Sequence, residues 1–69
     1  MQGTIKNVVL DKGFGFITCA DGGNDMFFHV SEIDQTSLQW DETLLERRVE
    51  FQPIMRNGRE RAAAVRAAD

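Results

Sequence analysis

The chain has 69 residues and a net charge of −3, which allows one small domain and argues against gripping a polyanion by total charge alone. A single cysteine, Cys19, and a single histidine, His29, exclude an internal disulfide and a zinc cluster, and point to a reducing compartment, most simply the cytoplasm. No stretch approaches the roughly 20 apolar residues of a membrane helix, and the start, MQGTIKNVVL, does not read as a signal peptide.

Residues 4–10, TIKNVVL, are rich in β-branched types and predict a strand. Residues 12–19, KGFGFITC, and 25–30, DMFFHV, predict two more, joined through the turn signals of ADGGN into a hairpin. Residues 31–43 are polar and irregular and read as a long loop in which Trp40 stands alone. A short helical turn is expected over 41–47, capped by Asp41 or Thr43, with Leu44 and Leu45 pointing inward. Residues 48–55, RVEFQPIM, alternate as a strand, with Val49 and Phe51 on one side. Pro53 marks a strand end or an edge. Asn57-Gly58 signals a second hairpin, whose last strand would be RERAAAVRAAD. That segment is helical by propensity alone, but context favours the strand.

The hairpin sorts its side chains into two faces. With Gly22 and Gly23 as the loop pair, Ile17 faces Phe28 and Cys19 faces Met26 on an apolar side suited to a core. On the other side Phe16 faces His29 and Thr18 faces Phe27, with Phe14 and Lys12 further along. Any even shift of register keeps the same two faces. Glycines at 13 and 15 leave the inner side thin, so the strand can bend sharply. Phe14 and Phe16 then stand on the outer side about 7 Å apart. That is near the spacing of successive unstacked bases, and stacking one base on a ring contributes roughly 1–3 kcal/mol. Phe27 is within cross-strand reach of Phe16. His29 adds a ring that stacks or donates, and Lys6 and Lys12 are placed for phosphates. A single small sheet does not easily bury both faces, so four rings of one parity favour an exposed platform over a core. His29 has no nucleophile beside it, since Ser31 two residues on along the strand should splay away. Cys19 reads as a small buried hydrophobe. Asp21 and Asp25 flank the turn and read as turn chemistry, not a metal site. Neither a metal, a cofactor nor a small-molecule substrate is indicated, and no catalytic constellation appears.

The segments GTIK, KGFGFI, the Asp-Gly-Gly turn and Asp25-Met-Phe-Phe-His-Val-Ser31 resemble the bacterial cold-shock domain, most strongly over residues 3–33. The resemblance implies one domain over residues 1–69, an all-β, five-stranded antiparallel OB-fold barrel. It also implies binding of single-stranded RNA or DNA by stacking, in an RNA chaperone or a regulator of transcription or translation. Its binding residues fall on Lys6, Lys12, Phe14, Phe16, Phe27 and His29, the face already derived, with Trp40, Arg59 and Arg61 as additional candidates. A monomer is expected, with dimerisation left open.

The departures matter. Where the family runs Trp-Phe-Asn the chain has Asn7-Val8-Val9, and where the family commonly has Phe after the histidine it has Val30. Two missing rings remove roughly 2–6 kcal/mol of gross stacking, which rim arginines would partly restore. A weaker, shorter-site binder is the expectation. The alternative is a cold-shock-like module whose aromatic patch binds a protein or a second copy of itself. Lys12–Ile17 also fits most of the RNP1 consensus of RNA-recognition motifs, but the adjacent aromatic strands and the short chain oppose that fold.

Overall fold

The computed structural model describes residues 1–20, 22–23 and 25–68. Five strands form, β1 (Gln2–Val9), β2 (Phe14–Cys19), β3 (Met26–His29), β4 (Arg48–Arg56) and β5 (Arg59–Ala67), with two short 3-10 turns at Val30–Glu32 and Glu42–Leu44. They close into a barrel in the order β1-β2-β3-β5-β4. Four of the neighbouring pairs are antiparallel, but β3 and β5 run parallel, joined at Phe27 and Arg61. The expected all-antiparallel sheet is corrected on this point, and the reason is arithmetic. Strands alternating up and down cannot close an odd-numbered ring, so one seam must be parallel.

Alternation decides what is buried. Ile5, Ile17, Cys19, Met26, Phe28, Val49, Phe51, Ala62 and Val65 point inward and form the core, joined by Ile33, Leu38 and Leu44 from the connections. The propensity of β5 for helix is overridden by this burial: Ala62 and Val65 fill the barrel while Arg61 and Arg66 stay outside. Asp41 caps the second 3-10 turn, its carboxylate accepting from the Thr43 N–H at 2.9 Å. Only Leu44 of the expected pair is inside. Leu45 is exposed, because a single 3-10 turn is too short to bring both leucines onto one face.

The turn signals fix the second hairpin. Asn57 and Gly58 have φ of 54° and 75°, both positive as a two-residue type I′ turn requires. That turn sets Arg56 opposite Arg59, Ile54 opposite Arg61 and Pro53 opposite Ala62. Alternation from the hydrogen-bonded Arg56–Arg59 pair makes Pro53–Ala62 a non-hydrogen-bonded pair. The missing N–H of Pro53 therefore faces the edge of β4 that β1, paired only up to Glu50, leaves open.

Between Glu50 and Gln52 the β4–β5 register slips, so that Phe51 faces both Ala64 and Val65. Ala64 takes φ of 53°, the left-handed conformation a glycine ordinarily supplies in such a bulge. Ala64→Gly should therefore stabilise the domain by about 0.5–1 kcal/mol, the relieved strain exceeding the added unfolded-state entropy. Thermal unfolding followed by circular dichroism checks it. A lower midpoint in the variant would mean that the bulge carries no strain.

Candidate nucleic-acid interface

The β1–β2 connection starts the site. Gly13 sits in this turn with φ of 78°, its N–H donating to the Val9 carbonyl at 3.0 Å and its carbonyl accepting from Val30 at 2.8 Å. Lys12, the expected start of the strand, lies exposed in the same turn, two residues before β2 starts at Phe14. Gly15 has a different duty. A Cβ there would lie 2.5 Å from the Asn7 carbonyl oxygen and 2.8 Å from the ring of Phe28. The bare position lets β1 and the Phe28 ring close in beneath the outer face, which holds Phe14 and Phe16 on either side of it.

The outer phenylalanines meet. Phe16 pairs directly with Phe27, and Phe14 with His29. Phe14 and Phe27 stack with centroids 5.6 Å apart and planes 29° apart, while Phe16 stands edge-on to both at 6.0 Å. All three rings are half-buried, largely against one another. The expected register, with Ile17 facing Phe28, is off by two residues: Ile17 pairs with Met26 and Gly15 with Phe28. The connection is longer than the Gly22-Gly23 pair assumed, because the β2–β3 ladder ends at Ile17–Met26. Of the turn residues, Asp21 and Asn24 lie outside those described. The shift is even, so the two faces are those expected.

Charge enters from β5. Arg61 places its guanidinium carbon 5.1 Å from the centroid of Phe27, within cation–π range. Arg59, exposed at the start of β5, and Arg56 across the turn follow on the same face. Arg56 and Ile54 are members of this surface that reading the strands singly overlooked. The Asn57-Gly58 turn carried the signal, since a two-residue loop dictates both pairings. On β1, Asn7 lies opposite Phe16 and Val9 opposite Phe14, so a non-aromatic pair borders the rings. A basic, aromatic face thus exists on an acidic chain.

The polar residues are more constrained than expected. Ser31 does not splay from His29. The chain leaves the strand at Val30 for a 3-10 turn, and His29 caps it, Nδ1 accepting from the Ser31 N–H at 3.1 Å with the Ser31 hydroxyl 2.9 Å away. An accepting Nδ1 puts the proton of the neutral ring on Nε2, which lies near Gly13 beside the platform. Lys6 is the extra residue of the bulge between Ile5 and Asn7. Its Nζ donates to Asp25 Oδ2 at 2.9 Å, and Thr18 donates to Oδ1 at 3.3 Å. Asp25 therefore serves as a cross-strand partner and not as turn chemistry. The hydrogen bond from Lys6, more than any other influence, holds its carboxyl below the usual range. A phosphate approaching Lys6 must compete with this carboxylate. Trp40 is not alone in its loop: Nε1 donates to the Leu10 carbonyl at 3.1 Å and its ring meets Phe28 edge-on at 6.1 Å. It is packed on the core and lies outside the cluster of Phe14, Phe16 and Phe27. Among the described residues no group of His, Cys, Asp and Glu is arranged to hold a metal, and no helix is long and apolar enough to cross a membrane.

Residues 1–68 match the model of the 'Cold-shock' DNA-binding domain family. The chain is 42% identical over 66 residues to the cold shock-like protein CspC of Shigella flexneri, covering 94% of this chain and 88% of that protein. It is 41% identical over 69 residues to cold shock domain-containing protein 4 of Arabidopsis thaliana, covering 99% of this chain but only 33% of the plant protein. Among solved structures, Drosophila Unr CSD456 superposes with a TM-score of 0.78 at 32% identity, over 99% of this chain and 26% of that one. With the closed five-stranded barrel, these matches show that the chain belongs to the cold-shock domain family, whose members bind nucleic acid.

Proposed function

We propose that the domain binds single-stranded RNA or DNA by stacking successive bases on the Phe14, Phe16 and Phe27 cluster. Lys12 and Arg59 meet phosphates, His29 offers Nε2–H to a base, and Lys6 contributes after parting from Asp25. The observation that carries this reading is the three-ring cluster, 5.6–6.0 Å between centroids, bordered by arginines of β5. Its role in the cell would be that of an RNA chaperone or a regulator of transcription or translation, acting in the cytoplasm as a monomer.

Two features argue for modest affinity. Asn7, opposite Phe16 at the border of the cluster, offers no ring for a base. In addition, the free rings stack on one another, and a base that inserts must replace contacts that contribute about 0.5–1.5 kcal/mol per pair. Titrating labelled oligothymidine at low salt, with NMR chemical-shift mapping, tests the proposal. Saturable binding with shifts centred on β2 and β3 is expected. No binding at roughly 100 µM protein would sink it and would favour a protein-binding or self-associating module instead.

A further inference from the structure

Resting on the base-stacking reading above, we propose that Arg61 is the specificity-determining residue of the surface and selects guanine for the base beside Phe27. Three observations carry this. The guanidinium lies over the Phe27 ring, which ties it to the stacking platform. Its Nε is buried and makes no hydrogen bond among the described residues. No carboxylate among those residues pairs with it, the ion pairs found being Lys6–Asp25 and Arg66–Glu50.

With Nε covered by the protein and neither a hydrogen bond nor a carboxylate partner for Arg61 among the described residues, the terminal Nη groups are the donors left for a ligand that brings acceptors. The group is a planar fork of donors with no acceptor. It is matched by two adjacent acceptors lying in one plane. Guanine presents O6 and N7 in this way. Adenine sets an amino donor beside its N7, and thymine separates its carbonyls by an N–H. Cytosine has adjacent acceptors in O2 and N3, but O2 flanks the sugar, where the backbone crowds the fork. Phosphate also fits a fork. Phosphates, however, run along the edge of a stacked strand, where the exposed Arg59 and Arg56 stand, while Arg61 is half-buried beside a ring.

The test uses an oligothymidine of about seven nucleotides in which one thymine at a time is replaced by guanine. One position should bind roughly tenfold tighter or more, and 7-deazaguanine at that position, lacking N7, should lose most of the gain. Arg61→Lys keeps the charge and loses the fork. It should erase the guanine preference, bringing the ratio of affinities for the guanine-substituted and plain oligothymidines to about one whatever happens to affinity overall. A preference that survives in Arg61→Lys, or no guanine preference at any position, overturns the proposal. Equal weakening on every sequence would also overturn it, making Arg61 a phosphate contact. If plain oligothymidine fails to bind the unaltered domain, it is the stacking reading that fails, a result distinct from binding without preference.

Discussion

Truncating Phe28 to alanine is expected to lower the unfolding free energy by about 3–5 kcal/mol. The ring is 0% exposed. It fills the space that Gly15 leaves empty, and it carries the edge-on contact with Trp40 that ties residues 30–44 to the barrel. Neither neighbour can follow the collapse: Gly15 has no side chain, and Trp40 is held by the Leu10 carbonyl. The cavity would therefore persist. A domain this small has little surplus stability, so the variant should be largely unfolded near 37 °C. Urea denaturation of the two proteins measures the difference. A loss below about 1 kcal/mol would show that Phe28 is not a core ring, and the assignment of faces on β3 would fail with it.

That assignment is where the sequence was most legible. Phe27 and Phe28 are adjacent and chemically identical, yet one is half-buried outside and the other wholly buried. Period-two alternation separates them without any knowledge of register, because an even slip moves partners and leaves faces alone. Register itself was not legible. It depends on the length of the β2–β3 connection, and glycine-rich stretches accept many loop lengths. The turn of the second hairpin was legible because Asn57-Gly58 admits one turn geometry, although β4 runs one residue further and β5 stops two residues sooner than expected. Contacts across the loop were out of reach for another reason. Trp40 meets Leu10 and Phe28 through tertiary packing, 30 and 12 residues away in sequence, and local pattern carries no trace of such pairings. The His29–Ser31 contact was misread because it requires the strand to stop at His29, a boundary that β-branched Val30 hides.

Removing Phe14 and Phe27 together should all but abolish oligonucleotide binding while the barrel stays folded. Each single alanine variant is expected to lose about 1–3 kcal/mol of binding. The double loss should fall short of the sum by 0.5 kcal/mol or more. The geometry gives the reason for the shortfall. The two rings stack at 5.6 Å, so each positions the other, and deleting one leaves its partner free to turn away from the ligand. Arg61 then becomes informative, because it packs against Phe27 and not against Phe14. The Phe27 variant should lose guanine selectivity along with affinity, whereas the Phe14 variant should keep its selectivity at lower affinity. Anisotropy titrations of the four proteins at low salt, with circular dichroism to confirm folding, complete the cycle. Unfolding of either single variant would make its ring structural. Full additivity would mean that the two rings hold separate bases without supporting one another, and the platform would then be two independent sites on one sheet.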